Sequence, residues 1–214
     1  MPFILSQTPS IGNHFLAQLR DAEIQQDSMR FRKNLERLGE IFAYEISKTL
    51  SYSDSDIETP LGTATIPLLT EQPVLGTILR AGLPFHQGLL NFFDRADSAF
   101  IGAFRKTHKT GKFTIESKYF TSPDLNGRIL IMADPMLATG QSIVLCCKEL
   151  LAQYRIKELH VVSLIASTEG LAHVKAHLPQ AKIWLGDVDE ELTSKSYIVP
   201  GLGDAGDLSF GEKV

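Results

Sequence analysis

The sequence is poor in cysteine, in long apolar runs and in clustered positive charge. Its two cysteines, Cys146 and Cys147, are adjacent on a predicted helix. Adjacent cysteines rarely bridge each other, so the pair predicts helix packing and not a disulfide or redox site. No apolar run is long enough to span a bilayer, and the N-terminus lacks the basic start and apolar centre of a signal peptide. We therefore expect a cytoplasmic protein with no membrane partner.

Positive charge is scattered along the chain and does not form a patch. The formal net charge is −4 over 214 residues. A dedicated nucleic-acid binder normally shows a basic face, so this balance predicts no nucleic-acid partner. A small basic pocket for an anionic metabolite remains compatible with it.

Two common nucleotide-binding motifs are also missing. The chain has no GxxxxGK[ST] sequence, which disfavours a nucleotide triphosphatase loop. No GxGxxG follows a predicted strand, which disfavours a dinucleotide-binding fold.

What is present first is a helical N-terminal region. With 43% hydrophobic residues, the chain has ample material for one large core. Apolar residues recur at three- and four-residue spacing over residues 13–50, which predicts helix. The sequence SYSDSD at 51–56 predicts a turn-rich break, and residues 57–69 predict short strands around Pro60-Leu61-Gly62.

From residue 73 onward, near-continuous apolar strands alternate with helical patterns. This alternation predicts an α/β fold, an open and mainly parallel sheet with helices on both faces. In such folds ligands bind at the carboxyl ends of the strands. The predicted strands are 74–79, 99–104, 129–133, 159–166 and 182–185, and the predicted helices are 83–93, 141–154 and 169–177.

One segment breaks this rhythm. Residues 106–122 carry basic side chains around Gly111 and then alternate with a period of two, which predicts a projecting strand or hairpin. The residues alone leave open whether it is a flap beside a site or an ordinary solvated hairpin.

The predicted strand ends carry the features of a phosphate site. Arg80 follows the first strand and Arg105 the second, while Asp134–Ser142 after the third offers small residues and a helix N-terminus. Backbone N–H groups and the helix dipole hold phosphate at such a turn. The three loops together predict a ligand with phosphate at both ends.

At these residues the sequence resembles the uracil phosphoribosyltransferase family of type I phosphoribosyltransferases. ADPMLATGQS (133–142) is similar to the loop that binds phosphoribosyl pyrophosphate (PRPP) in that family. ILRAGL (78–83), Glu169-Gly170 and YIVPGLGDAGD (197–207) stand in the family's order. The resemblance covers most of the chain.

The resemblance implies roles for particular residues. Arg80, Arg105 and Asp204 are expected to be catalytic, and Asp204 also to contact PRPP or a metal-bound water network. The PRPP-binding residues that it implies are Arg80, Arg105, Asp134, Pro135, Met136, Leu137, Ala138, Thr139, Gly140, Gln141, Ser142 and Asp204. The uracil-binding residues that it implies are Ile198, Gly203, Asp204 and Ala205.

The implied reaction is uracil plus PRPP giving UMP and pyrophosphate, in pyrimidine salvage. Mg²⁺ is the implied cofactor, held through PRPP and waters with no direct protein ligand. The family also implies a homodimer or higher homo-oligomer. We expect a single domain, 1–214, made of N-terminal helices and short strands (1–72), an α/β core (73–186) with a flap (106–122), and a C-terminal base-binding segment (187–214).

Some positions depart from the family's wording, and two alternatives stay open. Gln141 replaces a glycine of the usual ATGGS, and Pro84, Phe85 and His86 follow RAGL. These changes motivate the first alternative, a PRPP- or nucleotide-binding regulatory protein on the same fold. The second is a phosphoribosyltransferase for another base.

Three further groups have both a functional and a structural interpretation. His86 is a candidate base or a helix-face histidine. His173 and His177 are a candidate metal pair or part of a solvated helix face. DVDEE at 187–191 is a candidate metal site or a polar loop, and in each case the structural interpretation is favoured.

Overall fold

The secondary structure alternates between strands and helices along most of the chain. A computed structural model describes residues 1–107 and 113–213, and over 103–107 and 113–118 it describes the backbone alone. Its strands are β1 (Phe3–Ile4), β2 (Tyr52–Thr59), β3 (Gly62–Leu69), β4 (Val74–Leu79), β5 (Asp97–Thr107), β6 (Phe113–Thr121), β7 (Ile129–Ala133), β8 (Met136–Leu137), β9 (Glu158–Ser167), β10 (Lys182–Asp189), β11 (Glu191–Leu192) and β12 (Ile198–Val199). Its α-helices are α1 (Ile11–Arg20), α2 (Ser28–Ser47), α3 (Leu83–Phe92), α4 (Gln141–Gln153), α5 (Thr168–His177) and α6 (Ala205–Phe210), with short 3-10 turns at Leu5–Gln7 and Ile24–Gln26.

The main sheet is mostly parallel. Its strands follow the order β1-β10-β9-β7-β4-β5-β6, and β8 pairs with β9 beside this path. Each neighbouring pair is parallel except β5 and β6, which are antiparallel. The carboxyl ends of β4, β7 and β9 therefore meet at one edge, as an open α/β fold requires.

The apolar strands are buried on both faces. Along β7, Ile129, Ile131 and Ala133 pack into one core with helices α1, α2 and α3. Leu130 and Met132 point to the opposite core, which α4 and α5 cover. The predicted sheet with helices on both faces is therefore confirmed. A strand that is covered on both faces needs apolar residues at successive positions, which explains the near-continuous apolar runs.

The predicted helix over 13–50 is correct for its buried face but wrong in its continuity. The residues that recur at helical spacing from Phe31 to Ile46 are buried on α2. Residues between α1 and α2 leave the helix because Asp21 accepts hydrogen bonds from the N–H groups of Glu23 and Ile24. Asp27 then caps α2 by accepting hydrogen bonds from the N–H groups of Met29 and Arg30.

The predicted turn at 51–56 is also wrong, since these residues form most of β2. The strand pairs with β3 from Tyr52 opposite Leu69 to Thr59 opposite Gly62, in a separate two-stranded sheet. Its side chains are mostly exposed, so polar residues occur on both faces and hide the strand pattern. Cross-strand contacts replace burial there, as when the Thr65 hydroxyl donates to Asp56 at 2.7 Å.

The strands and helices predicted after residue 73 are all present. The structure lengthens the second strand to Asp97–Thr107 and the last to Lys182–Asp189. The predicted hairpin is confirmed in its strands, because β6 pairs antiparallel with β5. Gly111 and the rest of 108–112 lie outside the described residues. The division of one domain into 1–72, 73–186 and 187–214 stays a prediction.

In the part of the chain that the structure describes, no helix is long and apolar enough to cross a bilayer.

Candidate active site

A cleft opens at the carboxyl edge of the sheet, where the sequence predicts the site. Its volume is about 580 Å³. It is lined by Ile78, Leu79, Arg80, Ala81, Asp134, Met136, Ala138, Ser142, Ser196, Tyr197, Ile198, Gly203, Asp204, Ala205, Gly206 and Lys213.

Arg80 lies on the tight turn between β4 and α3. A Cβ on Gly82 would collide with the Thr77 hydroxyl and approach the Ile78 carbonyl oxygen to 2.8 Å, so the turn needs glycine. The Arg80 guanidinium is part exposed and donates from Nη2 to Asp207 Oδ1 at 3.0 Å. This places a fixed cation on one wall of the cleft.

The segment after β7 is pinned to the sheet before it reaches the cleft. The Asp134 N–H donates to the Val162 carbonyl at 3.1 Å, and the Pro135 carbonyl accepts from Leu164 and Ile165 N–H. Met136 then pairs with Ile165 in the short strand β8. Asp134 is consequently held at the edge of the cleft by backbone bonds to β9.

A second contact fixes the small-residue turn that follows. The Ser167 hydroxyl donates to the Ala138 carbonyl at 2.5 Å and accepts the Gly170 N–H at 2.8 Å. A Cβ on Gly170 would collide with the carbonyl oxygens of Ala138 and Leu137. This contact explains why a glycine follows Glu169 at the start of α5.

The turn ends in the N-terminus of α4. Gly140 adopts φ 72°, a left-handed conformation that favours glycine, and directly precedes Gln141. The first N–H groups of a helix lack intrahelical partners and carry the positive end of its dipole. Ser142 lines the cleft and the Gln141 side chain is exposed, so the backbone here is suited to an anion, and we call residues Ala138–Ser142 the anion cradle.

The C-terminal segment forms a further wall of the cleft. Ile198 is buried, while Gly201 and Gly203 adopt positive φ values of 58° and 90°. Asp204 caps α6 by accepting the N–H groups of Gly206 at 2.9 Å and Asp207 at 3.0 Å. The wall thus combines the apolar side chain of Ile198 with backbone N–H and C=O groups on the turns at Gly201 and Gly203.

Asp204 is held as a carboxylate. Partial burial alone would raise the pKa of Asp204, but the Asp207 N–H, Lys213 and the Gly206 N–H outweigh it and keep that pKa below its ordinary value. Lys213 Nζ lies 3.1 Å from Asp204 Oδ2. The lining of the cleft therefore includes an anion, Asp204, that is paired with a cation, Lys213.

The structure brings many of the predicted site residues together. Those that line the cleft are Arg80, Asp134, Met136, Ala138, Ser142, Ile198, Gly203, Asp204 and Ala205. Pro135 and Leu137 are buried beneath the turn, and Thr139, Gly140 and Gln141 belong to the backbone of the cradle. The Arg105 side chain lies outside the described part of the chain.

Sequence reasoning missed seven residues of the lining. Ile78, Leu79 and Ala81 lie beside Arg80 in the ILRAGL motif, which could have pointed to them. Tyr197 and Gly206 belong to the YIVPGLGDAGD motif, which could have pointed to them. Ser196 directly precedes that motif. Lys213 carries no motif, and its place in the cleft follows only from the fold of the chain after α6.

The other chemical candidates lie elsewhere. His86 is buried, and its Nε2 lies 3.1 Å from the Ser98 hydroxyl. Burial lowers the pKa of His86, and Ser98 pairs with Leu75 at the beginning of the strands, away from the cleft. Cys146 and Cys147 are buried free thiols, and burial raises the pKa of Cys146 to about 12. Packing, as predicted, is their role.

The remaining metal candidates are also structural. His177 Nδ1 lies 2.9 Å from the His173 carbonyl oxygen within α5. Among the described residues, no three His, Cys, Asp or Glu side chains gather in a way that could hold a metal. The polar loop predicted for 187–191 is wrong, because Asp187 and Asp189 end β10 and form ion pairs with Arg20.

Residues of the anion cradle after β7, Arg80 after β4 and residues of the C-terminal segment line one cleft of the mostly parallel sheet. This arrangement suits a ligand that carries phosphate.

The comparisons with known proteins place the chain more narrowly. The family model described as uracil phosphoribosyltransferase matches residues 5–212, and the chain belongs to that family. It is 46% identical to the uracil phosphoribosyltransferase of Porphyromonas gingivalis, over 96% of this chain and 95% of the relative. It is 39% identical to that of Thermococcus gammatolerans, over 92% of this chain and 87% of the relative.

Solved structures agree on the fold. A protein from Aquifex aeolicus superposes with a TM-score of 0.88 at 32% identity, covering 100% of both chains. The orotate phosphoribosyltransferase of Mycobacterium tuberculosis, solved with PRPP, has a TM-score of 0.53 at 11% identity. It covers 87% of this chain and 95% of its own, and it shows the shared fold alone.

Proposed function

We propose that the protein transfers the 5-phosphoribosyl group of PRPP to uracil, giving UMP and pyrophosphate, in pyrimidine salvage. One observation carries this proposal: residues of the anion cradle (Ala138 and Ser142), residues of the C-terminal wall (Ile198 and Gly203–Ala205) and Arg80 line the same cleft. The length and charge of PRPP suit such a site. Membership of the uracil phosphoribosyltransferase family supports the choice of base.

PRPP is proposed to bind by its two phosphate ends. The cradle holds the 5′-phosphate on backbone N–H groups, and Asp134 at its start accepts hydrogen bonds from the ribose hydroxyls. Arg80, and Arg105 by resemblance to the family, contact the pyrophosphate. Arg80 is already oriented for this by its bond to Asp207.

Uracil is proposed to bind against the C-terminal wall. The backbone N–H and C=O groups near Gly203 and Ala205 can complement O2, N3–H and O4 of uracil. Ile198 supplies the apolar contact for the ring. Cytosine would leave buried groups unpaired, at a cost of roughly 1–3 kcal/mol for each group.

The reaction exchanges one bond at the anomeric carbon. The bond from C1′ to the pyrophosphate oxygen breaks and the pyrophosphate departs with its electron pair. Uracil N1 forms the new bond to C1′, and its proton leaves to solvent or to pyrophosphate. Positioning the two substrates and stabilising the departing charge with Arg80 and Arg105 are the tasks of the protein.

The cleft suits a magnesium ion that arrives with PRPP. Asp134 and Asp204 both line the cleft and offer hard oxygen atoms, and they would hold the ion through waters. Bound Mg²⁺ neutralises charge on the pyrophosphate. The flap at 106–122 is proposed to cover PRPP and keep out water.

Incubation of the purified protein with PRPP, Mg²⁺ and a panel of uracil, xanthine, hypoxanthine and orotate tests the proposal. Formation of UMP from uracil, with no nucleotide formed from the other three bases, supports it. Turnover of a different base indicates a phosphoribosyltransferase for that base. Tight PRPP or UMP binding without turnover indicates the regulatory alternative and overturns the proposed activity.

A homodimer or higher homo-oligomer in the cytoplasm is proposed as the working form. The β2–β3 hairpin carries large exposed apolar side chains, including Leu61 and Ile66, on a sheet separate from the main one. Two buried free thiols suit a reducing compartment. Sedimentation equilibrium tests the assembly, and a monomer over the micromolar range contradicts it.

A further inference from the structure

Gly201 is held at both of its backbone polar groups by one ion pair from elsewhere in the fold. Its N–H donates to Asp189 Oδ2 at 2.9 Å, and its carbonyl accepts from Arg20 Nη1 at 3.0 Å. Arg20 and Asp189 are joined by two hydrogen bonds of 2.8 Å each. The three residues form a closed ring of hydrogen bonds, which we call the Gly201 clamp.

The clamp has the properties of a rigid support. The Asp189 side chain is 6% exposed and that of Arg20 is 20% exposed. A planar guanidinium bound to a carboxylate through both nitrogens fixes orientation as well as distance. Truncating Arg20 would leave the buried Asp189 carboxylate without its cation, so the ring is costly to open.

The clamp lies within the C-terminal wall that is proposed to bind uracil, residues Ile198–Ala205, which we call the base wall. Gly201 is three residues after Ile198 and two before Gly203, and both of these line the cleft. A Cβ on Gly201 would collide with the Ile198 carbonyl oxygen, so the turn has no room to adjust. A displacement of Gly201 therefore moves both of its neighbours on the wall.

The clamp also connects the two halves of the cleft. Asp189 pairs with Ser167 at the end of the β10–β9 ladder. Ser167 holds the Ala138 carbonyl of the cradle at 2.5 Å. Ser167 on β9 thus supports the cradle, and its neighbour Asp189 on β10 supports the base wall.

From these contacts we infer that Arg20 and Asp189 are positioning residues that set the base wall against the anion cradle. They act through Gly201 and touch neither substrate. The kinetic consequence rests on the proposed uracil chemistry, whereas the positioning of residues 198–205 does not.

The test compares Asp189→Asn with Asp187→Asn, a matched control. Asp187 also binds Arg20 Nη2 at 2.8 Å, but its other hydrogen bonds go to Ser6 and Val188. Among the described residues it has no hydrogen bond to Gly201. Arg20→Gln opens the clamp from the other side, and Arg20→Lys keeps the charge without the fork.

We expect Asp189→Asn and Arg20→Gln to raise the KM for uracil by about tenfold or more, because a small misplacement of a binding group is costly. The KM for PRPP should change by less than about twofold, and kcat at saturating uracil should recover. Arg20→Lys should be intermediate and Asp187→Asn close to wild type. Equal increases in both KM values, or equal effects of Asp187→Asn and Asp189→Asn, would overturn the inference.

Amide hydrogen exchange of residues 198–205 provides a readout independent of activity. Faster exchange in Asp189→Asn and Arg20→Gln than in Asp187→Asn supports the clamp even if the wild-type protein makes no UMP. Unchanged exchange in both folded clamp variants overturns it. Circular dichroism establishes that each variant is folded.

Discussion

Gly170 at the start of α5 packs directly on the carbonyl of Ala138 in the anion cradle, with no space for a side chain between them. Ser167 completes the contact by bonding to both residues. The shape of the cradle is therefore set by the neighbouring strand and helix as well as by its own sequence.

Gly170→Ala should distort the cradle. Because the new methyl group meets backbone oxygen atoms that cannot rotate away, we expect a loss of roughly 1–3 kcal/mol in the free energy of unfolding. The KM for PRPP should rise severalfold more than that for uracil. Urea unfolding and steady-state kinetics measure the two effects. Ala172→Ser, at an exposed position of the same helix, is the control.

Gln141 departs from the family's glycine, and its position explains why it is tolerated. It is the first residue of α4, with an exposed side chain pointing away from the packed core. Gln141→Gly should lower the free energy of unfolding by up to about 1 kcal/mol, since glycine is the poorer helix former. The KM for PRPP should stay within about twofold of wild type. A large fall in this KM would show that the Gln141 side chain hinders phosphate binding.

Much of this cleft could be predicted because its parts are local in sequence. The apolar runs of β4, β7 and β9 identify the buried strands, and parallel strands bring the loops that follow them to one edge. This pattern predicts that Arg80 and the Asp134–Ser142 turn lie at the same edge, and Arg80 and several residues of the turn line the cleft.

What could not be predicted depends on contacts between distant residues. Arg20 and Asp189 are 169 positions apart. The sequence does not show that they pair, so the acidic run at 187–191 predicts a polar loop. The strand β2 is stabilised by pairing with β3 and carries polar residues on both faces, which hides its period. Lys213 reaches Asp204 only because α6 and the residues after it return to the cleft.

Asp204→Asn separates the charge of Asp204 from its capping role. Asparagine caps helices about as well as aspartate, so α6 and the fold should be retained. Loss of the carboxylate should lower kcat/KM by about a hundredfold if the charge acts on PRPP or its metal-bound waters, a loss of about 2.7 kcal/mol in transition-state stabilisation.

Asp27→Asn is the matched control for this substitution. Asp27 caps α2 with the same pattern of hydrogen bonds and is not among the residues lining the cleft. It should keep wild-type kinetics. Wild-type activity in Asp204→Asn would show that the carboxylate has no catalytic role.

Lys213→Met should weaken PRPP binding. The ammonium lies 3.1 Å from Asp204 and 3.7 Å from Asp207. It adds positive charge to the cleft that is proposed to bind the anion PRPP. We expect the KM for PRPP to rise severalfold and its dependence on salt to become weaker, while stability changes by less than about 1 kcal/mol. Lys175→Met, on the exposed surface of α5, controls for the lost charge. Identical salt dependence in the two variants would contradict this role.

His160 should make the stability of the protein depend on pH. Its side chain is fully buried, with Nδ1 accepting from Trp184 Nε1 at 3.0 Å and Nε2 facing Glu158 Oε1 at 2.6 Å. Burial lowers the pKa of His160 below its ordinary value of 6.5, although Glu158 opposes this, and Lys182 beside Glu158 lowers it further. The folded state thus favours the neutral ring.

The sign of the effect follows from that shift. Below pH 6.5 the unfolded chain binds a proton that the folded protein resists, so stability is fully present above about pH 6.5 and is lost as the pH falls through the folded pKa. Urea unfolding between pH 5 and 7.5 should show this slope. His160→Gln should reduce it, leaving the part due to His86 and His173, whose pKa values burial also lowers. An unchanged slope in folded His160→Gln would contradict the assignment to His160.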